Sequence, residues 1–112
     1  MSYWISLYTH VDTGGPEPER VELEEVGNYT SNVAPMWSAA LGRSLGDLSE
    51  QPAGAVLPDL EQAVAAMEAD PARFEAMNPK NGWGDYAGAL GYLRRLRDAC
   101  ARHPKSTVRI SH

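Results

Sequence analysis

Two short segments hold most of the side chains whose types and spacing could do chemistry. The first is Asn28-Tyr29-Thr30-Ser31-Asn32, and the second is Asn78-Pro79-Lys80-Asn81-Gly82-Trp83-Gly84-Asp85-Tyr86. Each gathers amides, hydroxyls and aromatic rings just before a stretch with helical periodicity, where free backbone N–H groups point out of the first helical turn. If the two helix starts lie side by side, they form a polar pocket with aromatic walls, suited to a small polar or anionic ligand or to a peptide.

The predicted contacts to a ligand or partner come from both segments. They are Asn28, Tyr29, Thr30, Asn32, Asn81, Trp83, Asp85 and Tyr86. We expect the segments to touch, because Trp37 and Trp83 are too large and apolar to be left in water and the neighbouring amides need hydrogen-bond partners. The alternative interpretation is structural, since Asn, Ser, Thr and Gly are also the ordinary residues of helix caps and turns.

An enzymatic site is the main alternative. His10-Val11-Asp12 would place an imidazole and a carboxylate on the same face of a strand, a spacing that serves a metal or an acid and base pair. No third ligand is evident nearby, whereas catalytic metal sites usually have three protein ligands, so we expect neither a metal nor a cofactor. A small hydrolase would have to assemble its site across the fold from His10, Asp12, Asn32, Asp85 and Tyr86.

The single cysteine, Cys100, lies on the apolar stripe of the last predicted helix. A nucleophile needs an exposed, electropositive setting, whereas this position predicts a small buried core residue. One cysteine cannot form an intrachain disulfide, and no leader or membrane-spanning stretch is evident, which favours the cytoplasm and no membrane partner. Without a G-x-S-x-G, P-loop or dinucleotide glycine pattern, phosphate-transfer and hydride chemistry have no support.

Charge is distributed unevenly along the chain. The net charge is −5, but the charges are divided unevenly. Residues 94–112 hold 6 basic and 1 acidic side chains, whereas residues 1–93 hold 4 basic and 14 acidic ones. The acidic total makes nucleic-acid binding through the arginine-bearing last helix only a third alternative. Cations near a helix C-terminus also interact favourably with its dipole, and these can face the carboxylates of Glu17, Glu19, Glu22, Glu24 and Glu25.

The elements that must position these residues follow from periodicity. Alternation predicts strands at residues 3–10 and 21–24, joined by a Gly- and Pro-rich turn, and a closing strand around Val108 and Ile110. Helices are predicted from a cap at Ser31 or Asn32 to Gly42, over about 58–69, from Asp70 to Met77, and from Gly84 or Asp85 to Pro104.

This order, ββαα(α)αβ, predicts one α+β domain over residues 1–112. A small antiparallel sheet of about three strands, covered by helices on one face, is the simplest way to bury every apolar stripe. We expect Leu90, Leu93 and Leu96 of the last helix to pack in the core against Ile5 or Leu7. Gly88 and Gly91 in the same helix are expected to allow close packing against another backbone.

The two polar segments also carry a resemblance. Asn-Tyr-Thr-x-Asn followed by Pro35-Met36-Trp37, with the later Asn-Gly-Trp-Gly-x-Tyr, resembles a group of small uncharacterised bacterial and phage-encoded proteins of similar length. The resemblance covers residues 27–111 and implies no activity, cofactor or catalytic residue. It favours a role in the interaction between phage and host, such as inhibiting or regulating another protein.

Together these patterns favour a non-catalytic binding or regulatory module over an enzyme, because no nucleophile, base and orienting group can be assembled from neighbouring residues. The expected partner is a protein or a small polar ligand.

Overall fold

The computed structural model describes residues 1–112 and confirms the α+β class and the element order. Three strands and four helices follow one another along the chain. They are β1 (Ser2–Val11), β2 (Glu19–Thr30), α1 (Ala34–Leu41), α2 (Ala53–Ala69), α3 (Pro71–Glu75), α4 (Tyr86–Arg102) and β3 (Thr107–Ser111), with 3-10 turns at Ser31–Val33 and Leu45–Leu48. None of the helices has the length and apolarity needed to cross a bilayer.

The sheet is antiparallel in the order β2-β1-β3, so β1 is its central strand. Alternation along β1 buries Tyr3, Ile5 and Leu7 on the face that the helices cover. No helix covers the opposite face, where Trp4 is 51% exposed, although Tyr8 on that face is buried beneath Arg20 and hydrogen-bonded to Glu50. The helices therefore lie on one side of the sheet.

The hairpin is much longer than the alternation of residues 21–24 predicts. β2 continues to Thr30, which pairs with Ser2, and its register shifts twice, between Ile5 and Ser6 and between Leu7 and Tyr8 of β1. Each shift inserts one extra residue into β2, which interrupts the period of two that identifies a strand in a sequence. The bulges explain why most of this strand was not predicted.

Helix α2 begins at Ala53, five positions before the predicted start, and contains Pro58. Its first turn is held from outside the helix, because the Ala53 N–H donates to the Ser106 carbonyl and the Gly54 N–H to the Pro104 carbonyl, each at 2.8 Å. These tertiary hydrogen bonds supply the partners that a side-chain cap would otherwise give. Pro58 therefore lies inside α2 and does not mark the start of the helix.

One core of 24 buried residues joins the helices to the sheet. Leu90, Leu93 and Leu96 share it with Ile5 and Leu7, which confirms their predicted burial. Polar atoms inside it are paired: the Trp37 indole N–H donates to the Ala89 carbonyl at 3.1 Å, and every buried side-chain polar atom has a partner.

Candidate functional site

The structure brings the two polar segments together at one end of the sheet. They form an open cleft of about 560 Å³ between the end of β2 and the turn that precedes α4. Its lining residues are Met1, Ser2, Asn28, Tyr29, Thr30, Asn32, Asn81, Trp83 and Gly84. Six of the eight predicted contact residues are in this set, and Ser2 enters it because β1 starts beside Thr30, a pairing that local sequence does not reveal.

The first wall of the cleft belongs to a strand. Asn28, Tyr29 and Thr30 end β2 and pair with Trp4, Tyr3 and Ser2, so they belong to the sheet and lie beyond the strand predicted at residues 21–24. The predicted cap is wrong, because the Thr30 hydroxyl accepts the Asn32 backbone N–H at 3.3 Å and its side-chain N–H at 2.9 Å. Strand pairing and this cap hold the first wall rigidly.

The second wall is a turn fixed by its own side chains. The Asn81 carboxamide oxygen accepts the Trp83 N–H at 3.0 Å, and the Asn78 oxygen accepts the Tyr86 N–H at 2.8 Å. Gly82 and Gly84 adopt φ values of 79° and 93°, which L-residues with a Cβ rarely take. Trp83 is therefore held between two glycines on an ordered turn.

Tyr29 joins the two walls. Its hydroxyl accepts the Asp85 backbone N–H at 3.2 Å. A Cβ on Gly84 would lie 2.6 Å from Thr30 and 2.8 Å from Val33, and a Cβ on Gly88 would lie 1.9 Å from the Tyr29 hydroxyl. Close approach at these two positions requires glycine. The neighbour at Gly88 is the Tyr29 side chain and not another backbone, and nothing lies within 4 Å at Gly91, so the predicted packing against a second backbone is found at neither glycine of α4.

Several hydrogen-bonding groups in the cleft remain free. The Asn28 amide is exposed and takes no part in the side-chain hydrogen bonds of the protein. Asn32 uses its N–H group and Asn81 its oxygen, which leaves one carboxamide oxygen and one carboxamide N–H facing solvent. The cleft thus offers both donors and acceptors, and no Asp, Glu, Lys or Arg side chain lines it.

Trp83 departs from the expectation that it would be packed away from water. Its side chain is 68% exposed, whereas Trp37 is fully buried. The physical reason is that the Asn81 turn and Gly84 direct the backbone along the surface, while Trp37 lies on the inner side of α1. An exposed indole on a fixed backbone is a common feature of recognition surfaces.

Asp85 and Tyr86 have structural tasks instead of lining the cleft. The Asp85 carboxylate accepts the Gly88 N–H at 2.7 Å, which caps α4 as the sequence predicts. The Tyr86 hydroxyl donates to the Met67 carbonyl at 2.7 Å and so ties α4 to α2. Substitutions of Asp85 or Tyr86 would therefore lower the stability of the fold, and any loss of binding would follow from that.

The five residues of the alternative enzymatic site are not brought together. β1 runs from the cleft, where Ser2 pairs with Thr30, to the far end of the hairpin, where His10 pairs with Arg20. Eight residues of strand span roughly 26 Å. Asp12 lies beyond the strand and accepts the Gly14 N–H at 2.9 Å, so it does not share a strand face with His10. No group of three or more metal-ligating side chains is found.

The arginines of α4 have intramolecular partners. Arg94 pairs with Glu68, Arg97 with Asp98, and Arg102 with Glu24 through two hydrogen bonds. The guanidinium of Arg95 lies 5.4 Å from the centre of the Tyr92 ring. Of the five hairpin carboxylates expected to face this group, only Glu24 pairs with it. The pKa of Glu24 is lowered, chiefly by its hydrogen bonds to Arg102.

Cys100 is fully buried on the inner side of α4, which confirms its predicted place in the core. Burial is the main cause that raises the pKa of its thiol to about 11, so the reactive thiolate is scarce near neutral pH. Nucleophilic chemistry at this residue has no structural support.

The cleft can therefore bind through an aromatic surface and neutral hydrogen-bonding side chains. Comparison of the chain with protein-family models, curated proteins and solved structures found no match.

Proposed function

We propose that the protein is a non-catalytic binding module and that the cleft between the end of β2 and the turn before α4 recognises a segment of another protein. The supporting observation is Trp83, an indole 68% exposed to solvent on a turn fixed by hydrogen bonds and glycines. Tryptophan is enriched at protein interfaces and among binding hot spots, so an exposed indole on a fixed turn beside unpaired amides favours recognition of a partner.

The expected contribution of Trp83 follows from its area. A tryptophan side chain buries about 150–250 Å² when fully covered, so a partner would remove roughly 100–170 Å² of indole from water. At about 25 cal/mol per Å² this stabilises the complex by roughly 2.5–4 kcal/mol. Loss of the side chain should therefore weaken binding by roughly 60- to 1000-fold.

The amides give the complex its orientation. The free Asn28 amide, the Asn32 oxygen and the Asn81 N–H line the same cleft as the indole and offer both donors and acceptors, with which an extended polypeptide backbone can pair. No charged side chain lines the cleft, which favours an uncharged segment over one that needs an ion-pair partner. The resemblance to phage-encoded proteins favours a host protein as the partner.

The test compares Trp83 with an exposed apolar side chain far from the cleft. Tagged wild-type protein, Trp83→Ala and the control Val11→Ala, whose side chain is 43% exposed at the other end of β1, are used to capture partners from a host lysate. The proposal expects proteins retained by the wild type and Val11→Ala to be lost with Trp83→Ala, at unchanged thermal midpoints. Equal retention by all three would overturn it.

Asn28→Ala measures what one free amide contributes to binding, and amide resonances distinguish a protein partner from a small polar ligand. With a protein partner it should weaken capture by roughly 1 kcal/mol, about five-fold, because one hydrogen-bonding group is removed from an interface of several. Binding of a small molecule in the absence of any captured protein, detected as shifted amide resonances of residues 28–32 and 81–84, would instead assign the cleft to a small polar ligand.

A further inference from the structure

The end of the hairpin projects beyond the rest of the fold. We call residues 9–23 the hairpin arm: β3 pairs with β1 only over Trp4–Tyr8, so beyond the Tyr8–Glu22 pair the arm is a two-stranded ribbon with no third strand. The molecule measures 53 × 26 × 19 Å, and its radius of gyration is 14.9 Å. A compact chain of this length would have a radius of gyration of about 13 Å.

The arm exposes aliphatic side chains on the face that is continuous with the core. Val21 pairs with Thr9, and Val11 lies two positions further along the same face of β1, while Leu23 occupies a bulge. Val11, Val21 and Leu23 are 43%, 40% and 42% exposed. Thr9 and Leu23 also line a groove of about 300 Å³ that continues to residues 102–106. The helical layer stops here, and the apolar face of the arm extends past it.

Opposite charges lie at the two ends of this aliphatic face. Its tip carries the exposed carboxylates of Asp12, Glu17 and Glu19, none of which has an ion-pair partner. Its root carries Arg102, whose charge is already paired with Glu24, and Lys105, which has no ion-pair partner and leaves the root with an excess of positive charge. Along the arm the order is therefore negative, aliphatic and positive.

We propose that this face is a homodimer interface in which two arms lie antiparallel about a two-fold axis. The order of charges is self-complementary: a two-fold rotation through the aliphatic region places the acidic tip of one copy on the basic root of the other. The same rotation packs Val11, Val21 and Leu23 of one copy against these three residues of the other copy. An isolated two-stranded ribbon is marginally stable in water, so the dimer supplies the second layer that the arm lacks. The interface is small and the dimer is weak.

Sedimentation equilibrium of the full chain tests the proposal. The apparent mass should rise with concentration from the 12.2 kDa of one chain toward twice that value. Glu19→Lys and Lys105→Glu should each weaken association by roughly tenfold, and the two changes in one chain should restore it because tip and root then attract with reversed signs. Glu22→Lys is the matched control, since Glu22 lies on the opposite face of the arm beside Trp4 and Ser6.

Near-ultraviolet circular dichroism of each variant confirms that the fold is retained. Val21→Asp places a charge in the aliphatic centre and should leave the protein monomeric. A wild-type protein that stays monomeric up to about 1 mM, the weakest association that such an interface would show, overturns the proposal. The proposal is also overturned if the double variant does not restore the association that each single charge reversal weakens. It is likewise overturned if Glu22→Lys weakens association as much as the single reversals do. Because the cleft lies at the other end of β1, capture by the wild type through Trp83 is independent of these outcomes.

Discussion

Alanine at Gly88 and alanine at Gly91 should change stability in opposite directions. Both glycines lie in α4, three residues apart, and alanine is favoured over glycine in a helix by about 0.8–1 kcal/mol. At Gly91 a Cβ meets nothing within 4 Å, so this gain is fully available. Gly91→Ala should therefore raise the free energy of unfolding by roughly 0.5–1 kcal/mol and the thermal midpoint by about 2–4 °C.

At Gly88 the same methyl group meets Tyr29. Its Cβ would lie 1.9 Å from the hydroxyl oxygen and 2.5 Å from the ring carbon that bears it, whereas ordinary contact begins at 3.4 Å, so the ring must withdraw by about 1.5 Å. Withdrawal breaks the hydrogen bond from the Asp85 N–H and disturbs the packing of Tyr29 against Trp37 and Tyr92. Overpacking costs roughly 1–3 kcal/mol and the lost hydrogen bond about 1 kcal/mol, so the net effect is destabilisation by roughly 1–3 kcal/mol.

Urea denaturation of the two variants and the wild type measures these differences directly. A second pair, with Tyr29→Ala in the background, isolates the cause: once the ring is gone, Gly88→Ala should no longer be destabilising. The reasoning is refuted if Gly88→Ala and Gly91→Ala shift the unfolding midpoint in the same direction by the same amount. It is also refuted if the penalty at Gly88 persists without the Tyr29 ring, since the steric clash would then not be its source.

Three further predictions concern the core and its edge. Leu93→Ala should lower the free energy of unfolding by roughly 2–5 kcal/mol, because it leaves a cavity at a fully buried position, and an unchanged thermal midpoint would contradict this. Cys100, whose thiol pKa is raised by burial to about 11, should resist a thiol reagent at pH 8 in the native state and react on unfolding; labelling at the rate of a free cysteine would show exposure. Because Arg102 lowers the pKa of Glu24 in the folded protein, their pairing stabilises it above the ordinary carboxyl pKa, and this contribution is lost as pH falls through the lowered value. Glu24→Gln should flatten that part of a stability profile measured between about pH 6 and 2, and an unchanged slope would argue against the ion pair.

The residues predicted to form the site were found mainly through their local chemistry. Asn-rich and Gly-rich segments before helical periodicity predict caps and turns, and Asp85 does cap α4 while Asn78 and Asn81 do fix the preceding turn. What this chemistry could not show is which side chains remain free. Tyr86 and Trp83 are both aromatic and three residues apart, yet one is tied to α2 and the other faces solvent.

The sequence by itself determined the fold class, the element order and the apolar faces, because each follows from periodicity along a few consecutive residues. Helix α4 and the burial of Leu93 and Cys100 were determined in this way. The tertiary structure alone decided the length of β2, since its bulges exist only relative to β1. It also decided the start of α2, which hydrogen bonds from residues 104 and 106 fix, and the cleft itself, which depends on Tyr29 meeting Gly88 from 59 positions away. Contacts between distant residues leave no local period, so they could be read only from the folded chain.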